Sequence, residues 1–182
     1  MEVSKVQVGD KVLTTKGYEA IYAFAHDNKP IRAQFLQIYT DMVKPLEVSD
    51  DHLIYLLDQD LPVPAASIRI GDYLLGENGG MVVSRVERVE REGLYAPLTP
   101  SGNIIVDGVV ASCYVSLQQH APVIMELQGS ISTGLSHHFV IHTWLTPFRL
   151  VCTWIFNSIC QSFDDDSGLA HVVRAGFHAY EL

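Results

Sequence analysis

A short motif occurs twice in this chain, and it constrains the fold more than any other feature. The segment SKVQVGDKVLTTKG, which begins at Ser4, resembles ASIRIGDYLLGENG, which begins at Ala66. Each copy has alternating apolar residues, a Gly-Asp turn, two more apolar residues and a second turn. The turn glycines Gly9 and Gly71 are 62 positions apart (71 − 9 = 62). A duplicated β unit predicts a pseudo-two-fold all-β domain, in which equivalent strand ends meet near the axis.

The β pattern continues through the first two-thirds of the chain and then changes. Runs rich in Val, Ile and Tyr are separated by Gly, Asn, Asp and Pro, and GENGG and TPSG are turn signals. From about Ser130 the large apolar residues take helical spacing in HTWLTPFRLVCTWIFNSICQSF, where Pro147 must start or kink a helix. SFDDDSG indicates an exposed linker and LAHVVRAGFHAYEL a last helix. We expect an all-β core over residues 1–129 and a helical extension over 130–182.

Composition limits the classes of partner. With 182 residues and 48% hydrophobic content, the chain is able to bury a sizeable core. The 21 acidic and 12 basic residues give a net charge of −9, which argues against nucleic acid or an anionic membrane surface as the main partner. No signal peptide is visible at the N-terminus. The apolar stretch that includes Phe139 to Cys160 fits either a buried amphipathic helix or a segment lying on a membrane.

Cysteine and histidine usage gives no metal site. The three cysteines, Cys113, Cys152 and Cys160, are an odd number with wide spacing, so they indicate neither a disulfide framework nor a zinc pair. His137, His138 and His142 lie close together, but no carboxylate or cysteine stands beside them at zinc-site spacing. The sequence therefore predicts neither a metal nor a cofactor.

Three residues are candidates for chemistry. His52 closes the acidic turn Ser49–His52 before an apolar run, where it is either a surface histidine or a group that protonates a leaving nitrogen. Cys113 is either a packed thiol or part of a site. His52 lies 43 residues after Gly9 and Cys113 lies 42 after Gly71, so the repeat predicts that the two share a site. His26, followed by an aspartate, is a base or a turn residue.

The segment GLYAPLTPSGNIIVDGVVASCYV (residues 93–115) joins an APLT motif to an ASCY motif. This segment resembles the Hint domain of the hedgehog family, whose pattern joins the same two motifs. VSDDHLIYL resembles its T-x-x-H motif, with Ser49 in place of threonine. The two Gly-Asp turns resemble those of the duplicated Hint core, and HTWLTPFRLV resembles the H-x-x-L-A-P-x-R-L segment that follows it. The resemblance covers roughly residues 3–151.

The resemblance implies self-cleavage. In the family a cysteine at the first position attacks the preceding carbonyl and turns a peptide bond into a thioester, which a sterol, another alcohol or water then resolves. The resemblance implies that His52 supplies the proton, that Ser49 keeps the threonine hydroxyl contact, and that Cys113 tunes the nucleophile. His26 falls where hedgehogs carry the aspartate that is thought to activate the sterol. The implied substrate is the chain's own preceding domain. The resemblance also implies a monomer that is located in the secretory pathway or associated with a membrane.

The departures from the family leave alternatives open. The family's first cysteine lies well before the first Gly-Asp turn, whereas only eight residues precede Gly9 and residue 1 is Met. We therefore expect an N-terminally incomplete autoprocessing domain that is inactive as written. The alternatives are a non-enzymatic interaction or structural module with the Hint fold, and a peripheral membrane or sterol-binding protein that works through residues 139–160.

Overall fold

The computed structural model describes residues 2–115, 139, 142–143 and 145–154. The elements in chain order are β1 (Lys11–Thr14), β2 (Gly17–Ala20), β3 (Ala23–Tyr39), β4 (Leu46–Val48), β5 (His52–Ile54), β6 (Val63–Pro64), β7 (Tyr73–Gly76), β8 (Gly79–Val82), β9 (Arg85–Leu98), β10 (Asn103–Val106), β11 (Val109–Val115) and α1 (Thr146–Trp154). Single-turn 3-10 helices cover Val3–Lys5 and Ala65–Ser67. The predicted all-β class is confirmed. The predicted linker and last helix lie outside the described residues.

The strands of the two repeats are interleaved in the sheets. β3 lies between β4 and β9, and its antiparallel ladder with β9 runs from Ala23↔Leu98 to Tyr39↔Arg85. A second sheet has the order β6-β5-β11-β7-β8, and β10 pairs with β11. Strands of the first repeat therefore find their partners in the second, which joins the halves into one domain.

The duplication is visible at atomic detail in the two Gly-Asp turns. Gly9 N–H donates to the Ile21 carbonyl at 2.8 Å, and Gly71 N–H donates to the Val83 carbonyl at 2.8 Å. The aspartate that follows each glycine accepts from a backbone N–H three residues earlier through its Oδ2, from Gln7 at 2.9 Å in one copy and from Arg69 at 2.7 Å in the other. β1, β2 and β3 start 62 positions before β7, β8 and β9, so the offset between the turn glycines holds for three consecutive strands.

Each turn requires glycine because its backbone takes a left-handed conformation at that position. Gly9 has φ +95° and Gly71 has φ +94°, and a Cβ at either position would meet nothing within 4 Å. Space is therefore available at both positions, and the requirement is the left-handed conformation that a side chain disfavours.

Strand boundaries differ from the apolar runs in the sequence. The residues before each Gly-Asp turn form a 3-10 turn and an irregular segment, so β1 and β7 begin only after the aspartate. The run after Met81 is divided, because Val83 N–H donates to the Asp72 carbonyl and Ser84 N–H to the Tyr39 carbonyl, which separates β8 from β9. Alternation alone does not show these breaks, since their backbone partners are distant in sequence.

Two apolar clusters form the core. The first packs β3, β4 and β5 against β7, β8 and β11, with Ile38, Leu46, Ile54 and Leu74 fully buried. The second contains Tyr22, Ala23, Leu98, Cys113, Tyr114, Leu145 and Cys152. Leu145 directly precedes α1 and Cys152 lies within it. The second cluster is therefore where the described C-terminal part packs against the β core.

The helix starts next to Pro147, as the sequence predicts. α1 begins at Thr146, so Pro147 lies in its first turn, where its missing N–H costs no intrahelical hydrogen bond. Cys152 is disulfide-bonded, which the odd number and wide spacing of the cysteines did not predict, whereas Cys113 is a free thiol. Among the described helices, none has the length and apolar content needed to cross a membrane.

Candidate active site

The pairing of β5 with β11 brings His52 close to Cys113. Val115 pairs with His52 and Ala111 with Ile54, and the register shifts between these pairs. The turn before β5 presents His52, because the carbonyl of Ser49 accepts a hydrogen bond from the His52 N–H at 3.1 Å. That backbone bond is the contact the structure gives for Ser49. The predicted neighbourhood of His52 and Cys113 thus has a geometric origin in two antiparallel strand ends.

The imidazole of His52 is neutral at pH 7. Burial lowers its pKa from 6.5 to about 4, and a hydrogen bond with the Ser112 backbone opposes this effect. A contact that raises a histidine pKa is one in which the ring N–H donates to a carbonyl, because that contact favours the charged ring. One ring nitrogen is therefore a donor to Ser112, and the other carries a lone pair. A neutral imidazole of this kind is able to accept a proton.

The Cys113 thiol is buried beside Thr99, and the Cys113 backbone is hydrogen-bonded to Gly102. Its sulfur lies 3.4 Å from Thr99 Oγ1, and its N–H donates to the Gly102 carbonyl at 2.9 Å. Thr99 Oγ1 already donates its proton to the Asn103 carbonyl at 2.7 Å, so the thiol is the donor in the Cys113–Thr99 contact. Burial raises the pKa of Cys113 to about 11, and the thiol is protonated at neutral pH.

A two-residue hairpin between β10 and β11 sets the orientation of β11. β10 and β11 are joined by Asp107 and Gly108, whose φ angles of +46° and +83° match the two left-handed positions of a hairpin turn. The turn pairs Asn103 with Ser112 and thereby sets which face of β11 carries Cys113.

His26 lies in a β-bulge near the end of the β3–β9 ladder at which Ala23 pairs with Leu98. Phe24 pairs with Pro97 and Asp27 pairs with Tyr95, so two residues of β3 oppose a single residue of β9. Burial lowers the pKa of His26, and its buried Nδ1 has no hydrogen-bond partner within the described part of the chain. In the same part of the chain, no hydrogen bond or ring contact joins His26 to His52 or Cys113. Strand pairing therefore places His52 and Cys113 on adjacent strand ends. His26 lies on β3 next to Ala25, which packs against the apolar cluster that contains Cys113.

Sequence reasoning did not select Thr99 or Tyr22 as site residues. Thr99 ends the APLT segment, and its contact with Cys113 spans 14 positions. Tyr22 is 5% exposed, and its hydroxyl is buried without a partner among the described residues. Burial raises the Tyr22 pKa, and the nearby Cys113 thiol adds to this effect. A tyrosine directly before the first long strand gives no signal of this environment in the sequence.

His142 takes part in a hydrogen-bond network. Its Nδ1 lies 2.9 Å from the Tyr114 hydroxyl and its Nε2 lies 2.8 Å from the Arg149 guanidinium. His137 and His138, which accompany it in sequence, lie outside the described residues. Within the described ranges no group of three or more His, Cys, Asp or Glu side chains could hold a metal ion.

A shallow hollow of about 310 Å³ lies elsewhere, between β3, the Ala65–Ser67 turn and β9. Leu36, Ile68 and Val86 contribute to its lining, and none of the candidate site residues does. The hollow is therefore not part of the His52–Cys113 site.

Comparisons with known proteins agree on one family. The family model described as the Hint module matches residues 1–162. Protein hedgehog of Drosophila virilis is 32% identical over 165 residues, covering 83% of this chain, and Warthog protein 6 of Caenorhabditis elegans is 32% identical over 129 residues, covering 63% of it. The chain spans only 30% and 22% of the lengths of these two proteins. The crystal structure of the gp41-1 intein superposes with a TM-score of 0.53 at 17% identity, over 62% of this chain and 86% of that one.

Proposed function

Because this chain belongs to the family of Hint modules, in its hedgehog-type form, we propose that it is the autoprocessing domain of a longer protein and transfers the acyl end of a preceding domain to an alcohol or water. The observation that supports this proposal best is a neutral imidazole, His52, at the strand end next to the buried thiol of Cys113. The substrate on this proposal is the chain's own N-terminal flanking domain.

His52 acts first as a base and then as an acid. Its free lone pair takes the proton of a cysteine thiol at the junction with the preceding domain, and the sulfur attacks the carbonyl carbon. The resulting imidazolium is stabilised by the Ser112 backbone contact. As the C–N bond breaks, the imidazolium returns the proton to the departing nitrogen, which leaves a thioester and a free amino group. Proton transfer of this kind contributes about 10²–10⁴-fold to rate.

Cys113 serves as a neutral neighbour and not as the nucleophile. A protonated, buried thiol with a pKa of about 11 is a poor attacking group. Its hydrogen bond to Thr99 fixes the end of β11 beside His52. Ser49 fixes the other side, through the backbone bond of its turn and, on this proposal, through its hydroxyl at the scissile bond.

His26 activates the acceptor. Its buried Nδ1, which has no partner among the described residues, and its lowered pKa suit a neutral base that takes the proton of an alcohol or water as the oxygen attacks the thioester carbon. The C–S bond then breaks, and the released sulfur takes up a proton. A sterol remains a candidate acceptor through the hedgehog resemblance, with residues 130–182 as the extension that faces the lipid and residues 1–129 as the reacting core.

The test uses the chain with a donor domain and a junction cysteine fused before it. Thiol-induced cleavage of purified protein reports thioester formation without any acceptor. We expect His52→Ala to slow this cleavage at least about 100-fold, because proton transfer is lost. The matched variant His26→Ala is expected to keep thiol-induced cleavage and lose transfer to the acceptor.

Each variant has a result that contradicts its assignment. Cleavage of His52→Ala at the parent rate would exclude His52 as the acid and base. A fused chain that folds but never forms a thioester would favour the non-enzymatic module instead.

A further inference from the structure

A hydrogen-bonded clasp joins the helical segment to the β core. The clasp consists of His142, Thr146 and Arg149. Arg149 donates through one guanidinium nitrogen to the Pro100 carbonyl at 3.0 Å and to His142 Nε2 at 2.8 Å, and through the other nitrogen to Thr146 Oγ1 at 3.3 Å. Thr146 Oγ1 in turn donates to the His142 carbonyl at 3.2 Å.

The chemistry of arginine fixes the direction of these bonds. Arginine only donates, so His142 Nε2 accepts and carries the lone pair. The proton of the neutral ring is then on Nδ1, which donates to the Tyr114 hydroxyl at 2.9 Å. Burial and the neighbouring guanidinium both lower the pKa of His142, in keeping with a neutral ring. The clasp thus has a defined polarity that runs from Arg149 through His142 to Tyr114.

The clasp is hydrogen-bonded to the Thr99–Gly102 turn, which in turn contacts Cys113. Pro100, which it bonds, directly follows Thr99, and Thr99 Oγ1 accepts from the Cys113 thiol. Gly102, two residues further, supplies the carbonyl that accepts the Cys113 N–H at 2.9 Å. The turn therefore holds Cys113 at two points, and the clasp holds the turn.

Close packing at Gly102 provides a second, independent link. Gly102 has φ +72°, and a Cβ there would come within 2.6 Å of His142 Nδ1 and 3.0 Å of the Tyr114 ring. Tyr114 follows Cys113 in β11 and belongs to the same buried cluster. His142 is thus packed against the turn and bonded to the strand at the same place.

We propose that Arg149 and His142 are positioning residues for the autoprocessing site, which act on Cys113 through the Thr99–Gly102 turn and Tyr114. The inference rests on the proposed function for its catalytic meaning. Its structural content is that the segment after residue 139 completes the surroundings of Cys113 by specific hydrogen bonds, in addition to the apolar packing of Leu145 and Cys152 in the same cluster.

The experiment measures the alkylation rate of Cys113 by iodoacetamide, located by peptide mass spectrometry, in the chain as it stands. Arg149→Gln removes the bonds to Pro100 and His142, and we expect Cys113 to react about tenfold faster at an unchanged urea midpoint. Arg149→Lys keeps the charge with fewer donors and should give an intermediate rate. The matched control is Arg32→Gln, which removes an exposed ion pair with Glu90.

A double-mutant cycle tests whether the effect passes through the turn. Thr99→Val removes the acceptor of the thiol and keeps the side-chain shape. If the clasp acts through Thr99, Arg149→Gln adds less than about twofold in the Thr99→Val background. Rates that multiply would overturn the proposal, as would an Arg149→Gln rate equal to that of Arg32→Gln or one explained by a matching loss of global stability.

Because no acyl donor is present in this measurement, its outcome is independent of the cleavage test. A protected Cys113 in Arg149→Gln would remove the clasp from the mechanism and leave the role of His52 standing. A fused chain that fails to cleave would leave the alkylation result unchanged.

Discussion

The first half of the duplicated unit runs from the Val3–Lys5 turn to β5, and the second from the Ala65–Ser67 turn to β11. Their opening hairpins share one set of hydrogen bonds at a constant offset, but their closing strands differ. The first half closes on a short strand that starts with His52 after an acidic turn. The second closes on the β10–β11 hairpin, which carries Cys113. The repeated part supplies the scaffold, and the divergent ends supply two different titratable groups to one place.

The largest expected effect concerns two equivalent positions with unequal burial. Val12 in β1 and Leu74 in β7 occupy the same place in the two hairpins, but Leu74 is fully buried in the first cluster and Val12 is half-buried. We expect Leu74→Ala to lower the free energy of unfolding by about 3 kcal/mol and Val12→Ala by about 1 kcal/mol. Urea denaturation measures both, and equal losses would show that the halves contribute equally to the core.

The second prediction concerns how the free energy of unfolding depends on pH through His52, in the first half. The folded pKa of His52 is about 4, below its unfolded value, so its stabilising effect is fully present above pH 6.5 and is lost as the pH falls towards 4. We expect about 2 kcal/mol of stability to disappear over this window, less than the full shift implies because His52 is not completely shielded from solvent. His26 and His142 shift in the same direction. Urea midpoints for the parent and His52→Asn check this, and an unchanged slope in the variant would contradict it.

Cys113 gives the opposite response. Its folded pKa of about 11 lies above the ordinary value of 9, so its stabilising effect is present below pH 9 and is lost as the pH rises towards 11. The same titration carried to alkaline pH, with Cys113→Ala as the reference, therefore isolates the part of the alkaline limb that Cys113 contributes from the second half.

The third prediction asks whether the hairpins are energetically as well as geometrically equivalent. Gly9 and Gly71 have nearly identical left-handed φ angles and open space around a Cβ. Alanine at either position should therefore cost the same, about 1 kcal/mol, from backbone strain alone. A difference larger than about 0.5 kcal/mol between the two variants would show that the turns are not interchangeable.

The smallest effect concerns the residues that precede the two long strands. Tyr22 and Ser84 are equivalent by the repeat, yet Ser84 donates to the Tyr39 carbonyl at 3.2 Å while the buried Tyr22 hydroxyl has no partner among the described residues. We expect Tyr22→Phe to raise the free energy of unfolding by up to about 1 kcal/mol and Ser84→Ala to lower it by about 0.5 kcal/mol. Thermal and urea unfolding give both signs, and a destabilised Tyr22→Phe would mean that the hydroxyl is satisfied in solution.

Local patterns in the sequence predicted the fold class, the repeat and the pairing of the strand ends that carry His52 and Cys113. Alternation, turn glycines and the similar distances of the two residues from those glycines, 43 and 42 positions, are read directly from the sequence. The bulge at His26 was not predictable, because it depends on the register of β3 against a strand about 70 residues away. Thr99 and the Arg149–Pro100 bond were missed for the same reason, since each becomes adjacent to its partner only through sheet topology and helix docking.

The interleaved pairing of the halves has a consequence for when the site exists. Ala23 pairs with Leu98 and His52 pairs with Val115, so neither pairing forms until most of the β core has been synthesised. Pairings this distant in sequence form slowly, after the loops between them have closed. A nascent chain that has emerged only as far as β5 has its histidine but no thiol beside it. The proposed chemistry therefore starts only when the β core has folded, and no separate inhibitor is needed to prevent cleavage of an incompletely synthesised chain.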